Sequence, residues 1–148
     1  TLKYPKPGKR KKGTKSVSAL QKKKNNVGSL YHKTRALTAW GKYAHLRFKY
    51  CAICGKHEES TKLDAHHLIG KARTMTRNDP ENCIMLCSDH HLWNTTISAH
   101  MAPLGFTEWL KENMPEKIEY IRENQHKTGK VDYKADYENI IELIGEFE

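Results

Sequence analysis

The chain has 148 residues and a formal net charge of +9, a length that suits one domain with tails and excludes a large multidomain enzyme. No apolar run approaches the roughly 20 residues that cross a bilayer, and no segment has the pattern of a secretory signal. We therefore expect a cytoplasmic protein without a membrane partner.

Charge is divided unevenly along the chain. Residues 1–50 hold 15 Lys or Arg and no acidic residue, whereas residues 51–148 hold 11 basic and 17 acidic residues. The two parts therefore carry +15 and −6. Clustered Lys and Arg side chains displace counterions from nucleic acid, so we expect the basic part to contact a nucleic acid.

Residues 1–27 are predicted to form a basic, flexible N-terminal tail, because they hold almost nothing apolar to bury. Within it, Ser18 to Lys24 could form a short helical turn that is stable only when docked. The tail residues expected to contact phosphates are Lys9, Arg10, Lys11, Lys12, Lys22, Lys23 and Lys24. A helix is predicted from Ser29, a suitable N-cap, to about Phe48.

Residues 28–102 are predicted to form the core, and residues 103–148 a C-terminal helical extension. The core pattern indicates a strand over 61–68, a polar loop over 70–81, a strand over 82–87 and a helix starting near His90. In the extension, we expect one helix to open at Thr107 and another at Met114–Pro115. A last amphipathic helix carries Tyr137, Ile140, Ile141 and Ile144.

Four cysteines occur within 37 residues, and in a Lys-rich chain without a signal peptide this indicates metal binding rather than disulfides. Cys51-x2-Cys54 and Cys87-x2-His90 form two pairs, the donor set of a closed tetrahedral zinc site. Such a site would also stabilise a small polar core. Cys83 lies in the apolar strand and is expected to pack there, although it could replace His90 as a ligand.

Five of the nine histidines lie between positions 66 and 100. They predict a second, open metal site with His66 and His91 as ligands and His67 free as a base. Adjacent strand residues point to opposite faces, so His66 and His67 share a cleft only if the strand ends or bulges there. Asp64 and His100 are reserve ligands. The other histidines are expected on the surface: His32, His45, His57 and His126.

The order Cys-x2-Cys, Asp-Ala-His66-His67, Asn82, Leu-Cys-x2-His-His resembles that of HNH endonucleases. The likeness covers roughly residues 30–110. The nearer resemblance is to phage HNH proteins and the NinG-type recombination proteins of lambdoid phages. It rests on Tyr43-x2-Leu46-Arg47 before the first cysteine and on the 15-residue step from His67 to Asn82. The resemblance implies an α+β fold: a small ββα-metal core with a structural zinc knuckle, flanked by helices.

The resemblance also implies roles for these residues in a metal-dependent DNA endonuclease of phage or prophage type. His67 would be the general base, and Asn82 would hold the loop that orients it. His66 and His91 would bind one divalent ion, which could be Mg²⁺, Mn²⁺, Ni²⁺ or Zn²⁺. The products would carry 5′-phosphate and 3′-hydroxyl ends. The loop cations Lys71, Arg73 and Arg77 would neutralise phosphates near the cut.

Two departures from the commonest pattern leave alternatives open. Many relatives have Asp-His where this chain has His66-His67. The second knuckle ends in His90 rather than Cys, which leaves open which of His90 and His91 binds the structural zinc and which binds the second metal ion. The substrate could be duplex DNA or branched recombination DNA, cut by a monomer or a homodimer in the host cytoplasm. The alternatives are an enzyme acting on RNA and a non-catalytic, zinc-stapled nucleic-acid-binding module.

Overall fold

The computed structural model describes residues 15–148 and has an α+β fold, as predicted. Two short strands and a single π-helical turn, here called the π-turn, lie between two N-terminal and three C-terminal helices. In chain order the elements are α1 (Lys15–Asn25), α2 (Leu30–Arg47), β1 (Leu63–His66), β2 (Ile84–Cys87), the π-turn (Asp89–Trp93), α3 (Pro103–Asn113), α4 (Pro115–Asn124) and α5 (Tyr133–Gly145). None of the helices within the described range is long and apolar enough to cross a membrane.

Helix α2 begins immediately after Ser29, as predicted, and α1 is docked against its start. The Ser29 hydroxyl donates to the carbonyl of Lys23 at 2.9 Å. His32 is buried, and its Nε2 donates to the carbonyl of Lys24 at 2.8 Å. The prediction that His32 lies on the surface is therefore wrong, because its ring joins the two helices.

Helix α1 extends the predicted helical turn and lies within the range predicted to be a tail. Lys22, Lys23 and Lys24 are exposed on it, as a contact with phosphates would require. The other predicted phosphate contacts of the tail, Lys9, Arg10, Lys11 and Lys12, lie outside the described residues. The division of the chain at residues 27 and 102 stays a prediction.

The two strands form an antiparallel sheet at the centre of the core. Leu63 lies opposite Cys87, and His66 lies opposite Ile84. Every side chain of β2 is buried, which fits the continuous apolar run that predicted a strand there. Helix α2 packs against both strands and α5 packs against α2. Helices α2, α3 and α5 contribute these buried side chains to the same hydrophobic core: Trp40, Tyr43, Ala44, Phe106, Leu110, Ile140 and Ile144.

Helix α3 begins earlier than predicted. Pro103 occupies its first turn, where a missing N–H costs nothing, and the Thr107 hydroxyl donates to the Pro103 carbonyl at 2.8 Å inside the helix. The predicted start at Thr107 is therefore wrong.

Gly105 lies so close to the loop before α3 that a β-carbon there would collide with the carbonyl oxygen of Thr96. Helix α4 begins at Pro115, as predicted.

Helix α5 packs along α2 through the apolar stripe that the sequence predicted. Ile140 and Ile144 are buried in the shared core, whereas Ile141 is 42% exposed. The guanidinium of Arg35 on α2 lies 3.9 Å from the ring centroid of Tyr137 on α5, in cation–π geometry. The C-terminal helix is thus joined to the N-terminal half of the chain.

Neighbouring isoleucines on α5 allow a matched test of this packing. Ile140→Ala should lower the free energy of unfolding by about 2–5 kcal/mol, because it leaves a cavity in the core. Ile141→Ala removes the same atoms from a half-exposed position and should cost less than about 1 kcal/mol. Urea denaturation followed by circular dichroism measures both, and equal losses would contradict the packing described here.

Candidate metal centres and catalytic cleft

Four predicted zinc ligands converge in one cluster: Cys51, Cys54, Cys87 and His90, whose ligand atoms all lie within 4.8 Å of one another. The sulfurs of Cys54 and Cys87 are 3.8 Å apart. Nδ1 of His90 lies 3.7 Å from the Cys51 sulfur and 3.3 Å from that of Cys87. Sulfurs bound tetrahedrally at about 2.3 Å from zinc would be about 3.8 Å apart, so the donor set and its size fit zinc.

Backbone geometry forms the first half of this cluster. Gly55 has φ +70°, a conformation that glycine adopts without strain, and its N–H donates to the carbonyl of Cys51 at 2.9 Å. The N–H of Ala52 donates to the carbonyl of Met85 on β2, also at 2.9 Å. The first cysteine pair is therefore held against the strand that ends at Cys87.

Cys83 does not belong to this cluster. Its side chain is buried in the core beside β2, and burial raises the pKa of its thiol to about 12. A thiol in that environment stays protonated and packs as a small apolar group. The structure thus brings His90 to the other three ligands, and Cys83 does not replace it.

A second cluster consists of three imidazoles. The ligand atoms of His66, His91 and His100 lie within 4.8 Å of one another, and the ring centroids are 4.9–5.3 Å apart. Burial, together with the neighbouring histidines, lowers the pKa of His66 to about 4. The ring is therefore neutral at physiological pH, which is the form that binds a metal. Three imidazoles fit a borderline divalent ion.

Asp64, predicted as a reserve ligand, lies behind His91. Its Oδ2 accepts from Nδ1 of His91 at 3.3 Å, and its Oδ1 lies 3.1 Å from the Lys62 ammonium. Burial opposes ionisation of Asp64, but the hydrogen bonds from Lys62 and His91 lower its pKa. A carboxylate in this place selects one tautomer of the histidine and leaves Nε2 as the ligating atom.

His100, the second reserve ligand, is brought to the cluster by a loop that folds back on the π-turn. Its N–H donates to the carbonyl of His91 at 3.1 Å. The buried Ser98 hydroxyl accepts from the N–H groups of Met101 and Ala102, each at 3.0 Å. The side chain of Asn94 accepts from two further N–H groups of this loop. These bonds place His100 beside His91, nine residues earlier.

His67 lies just beyond the end of β1, which stops at His66. Because the strand ends there, the two histidines line the same cleft. Nε2 of His67 donates to the carbonyl of Arg77 at 2.9 Å, so Nδ1 is free to accept a proton. Burial lowers the pKa of His67, although the bond to Arg77 partly offsets this. This shift favours the neutral form of the ring, which is the form that can accept a proton.

Trp40 is a site residue that the sequence did not single out. Its indole stacks on the ring of His67 with centroids 3.9 Å apart and 13° between the planes, and its N–H donates to the carbonyl of Asp79 at 3.0 Å. In the sequence, Trp40 is one apolar position of α2. Nothing local connects it to a histidine 27 positions later.

Asn82 is fully buried, and its side chain is hydrogen-bonded to the loop between the two strands. Its Nδ2 donates to the carbonyls of Ile69 and Thr76 at 2.9 Å, and its Oδ1 accepts from the N–H of Ile69 at 2.7 Å. This loop also supplies the Arg77 carbonyl that holds His67. The amide is therefore placed to support the position of His67 through the backbone.

The three loop cations occupy different positions. The cleft has a volume of about 340 Å³ and is lined by Lys71 together with His66, His67, His91 and His100. Arg73 is exposed on the loop outside this cleft. Arg77 is half-buried, and its guanidinium donates to the Lys71 carbonyl at 3.1 Å. Of the three cations predicted to neutralise phosphates, Lys71 is therefore the one that lines the cleft.

Residues 51–93 match a family model described as HNH endonuclease, which supports the predicted family and a metal-binding nuclease domain. The matched segment contains both ligand pairs, Cys51 with Cys54 and Cys87 with His90, whereas His100 lies beyond it. It also contains His66, His67, Asn82 and His91. No curated protein and no solved structure matches the chain. The nearer resemblance to phage and NinG-type proteins stays a prediction.

Two cysteine variants test the zinc cluster. Cys54→Ser removes a ligand at an exposed position, so little packing is lost, yet the variant should lose the one zinc per chain that we expect and unfold the central region. Cys83→Ser alters a buried residue outside the cluster and should retain zinc. Elemental analysis with circular dichroism tests this, and a Cys54→Ser variant that keeps its zinc would contradict the assignment.

Asn82→Ala should destabilise the protein by about 2–4 kcal/mol, because it leaves buried backbone groups of Ile69 and Thr76 without partners. Asn113→Ala is the control, since that exposed amide makes a single bond to the Trp109 carbonyl, and it should cost less than about 0.5 kcal/mol. Thermal unfolding compares the two variants. Similar losses would show that Asn82 does not hold the loop.

Proposed function

We propose that this protein is a metal-dependent DNA endonuclease that hydrolyses phosphodiester bonds. One observation carries the proposal: His67, held through Nε2 with Nδ1 free, lines the same cleft as the cluster of His66, His91 and His100. A binding module stabilised by zinc needs only the cluster of Cys51, Cys54, Cys87 and His90. The match to HNH endonucleases over residues 51–93 supports the same reaction class.

In the proposed reaction, His67 takes a proton from water as the water oxygen attacks the phosphorus. The bond to the 3′ oxygen breaks and that oxygen takes a proton from solvent water, which leaves 5′-phosphate and 3′-hydroxyl ends. A divalent ion held by the three imidazoles would polarise the phosphate and stabilise the departing oxygen. The residues nearest this chemistry divide the remaining work: Asp64 orients His91, Asn82 and the Arg77 carbonyl position His67, and Lys71 attracts the phosphate.

The charge distribution supports DNA as the partner. Lys71 lies in the cleft, Arg73 is exposed beside it, and Lys22, Lys23 and Lys24 are exposed on α1. Lys9, Arg10, Lys11 and Lys12 would add contacts that depend on charge and not on base sequence. As part of the same proposal, the enzyme is of phage or prophage type and acts in the host cytoplasm on duplex or branched recombination DNA, where a homodimer would allow paired cuts.

Two histidine variants separate the base from a metal ligand. His67→Ala should leave DNA affinity almost unchanged and lower cleavage by roughly a hundred- to ten-thousandfold, at every divalent-ion concentration. His91→Ala weakens the ion site, so part of its activity should return when Mg²⁺, Mn²⁺ or Ni²⁺ is raised. Plasmid nicking and cleavage of a four-way junction measure both variants.

The outcomes distinguish a base from a ligand at His67, and an endonuclease from a binding module. Wild-type cleavage by His67→Ala would exclude His67 as the base. Recovery of His67→Ala with added metal would indicate that His67 is instead a ligand. If the wild-type protein cuts neither DNA nor RNA with any of these ions, the proposal fails, and the non-catalytic binding module replaces it.

A further inference from the structure

A groove between α3 and α4 opens beside the cluster of three histidines. This α3–α4 groove has a volume of about 360 Å³, within the range of small-ligand pockets. Leu68, Phe106, Ile118 and Ile121 form its apolar wall. The helical extension therefore adds a concave surface to the core.

Two cations lie at the edge of this apolar wall. Lys111 on α3 and Arg122 on α4 both line the α3–α4 groove and are both exposed. Arg122 also contacts Glu119 at 3.4 Å, an exposed pair that is worth little in water. An occupant that complements this surface has a flat or apolar body and carries negative charge.

The α3–α4 groove adjoins the proposed active site. His66 lines both the groove and the catalytic cleft. At the other end, Leu68 and Ile121 are shared with a third cavity of about 250 Å³, which also contains Arg73. A strand with its scissile phosphate at His66 would thus have an apolar surface and further cations immediately beside it.

We propose that the α3–α4 groove binds the unstacked base of the nucleotide next to the scissile phosphate, while Lys111 and Arg122 contact the adjoining phosphates. This inference rests on the proposed function and narrows its substrate class. In an intact duplex the bases are stacked inside and cannot reach a groove that flanks the backbone. The preferred DNA therefore has unpaired nucleotides at the cut.

The proposal predicts a preference that binding alone can measure. The probes are a duplex with three unpaired nucleotides in one strand and the same duplex fully paired, which differ little in charge. The zinc-loaded protein, without added Mg²⁺, Mn²⁺ or Ni²⁺, should bind the first probe about tenfold more tightly, as expected from stacking one base on an apolar surface. Fluorescence anisotropy gives both affinities.

A tryptophan placed in the groove should abolish this preference. Ile121→Trp fills the groove and should reduce the affinity ratio to about one. Ile141→Trp makes the same change on α5, outside the groove, and should keep the wild-type ratio. A preference that survives Ile121→Trp in a folded protein overturns the proposal.

Removal of the two edge cations provides an independent test at exposed positions, where folding is not at risk. Lys111→Gln with Arg122→Gln should weaken binding of the unpaired probe more than that of the paired probe. The control, Lys42→Gln with Lys134→Gln, removes equal charge from α2 and α5 and should weaken both probes alike. Equal effects of the two double variants overturn the proposal.

These measurements separate the groove from the proposed chemistry. Cleavage of both probes without any affinity difference would reject the groove and leave the endonuclease intact. A clear preference for the unpaired probe, lost in Ile121→Trp, would support the groove even if no divalent ion produced cleavage. In that case only the proposed catalytic function would fail.

Discussion

The arrangement of this protein depends on bringing three thiols and one imidazole within 4.8 Å of one another. Cys54 and Cys87 are 33 positions apart, and closing such a loop costs about 3 kcal/mol of chain entropy beyond a constant term. A sheet of two four-residue strands is marginal by itself. Zinc binding in comparable small sites contributes about 10–16 kcal/mol, which exceeds that cost. The central region is therefore expected to fold with its metal.

The cluster of three cysteines with His90 also determines where the cluster of three histidines lies. His90 and His91 are consecutive in the π-turn, and consecutive residues of a helical turn diverge by roughly 100°. Once His90 points to the cysteines, His91 points away from them, towards β1. There it meets Asp64 and lies 5.2 Å from His66, centroid to centroid. The cluster of three cysteines with His90 and the cleft lined by histidines thus lie on two sides of one short turn.

Burial has the same effect on His66 and His67, but the two rings have different contacts. It lowers the pKa of His66 to about 4 and also lowers the pKa of His67, which favours the neutral form of each ring. Their partners then decide the roles. His66 faces two other imidazoles and can share a metal with them, whereas His67 is stacked on Trp40 and bonded to a backbone carbonyl. The proposed ligand and the proposed base are therefore neighbours in the sequence.

The sequence by itself determined the helix after Ser29, both strands and the two ligand pairs, because these depend on local patterns of caps, apolar runs and short ligand spacings. The α+β class followed from the resemblance that those motifs carry. The sequence left the partners of His90, His91 and His100 open and overlooked Trp40. Those relations join residues from separate elements, and no local pattern records which side chains meet. Only the tertiary structure decided them, since the packing of α2 and the loop after the π-turn sets where each ring lies.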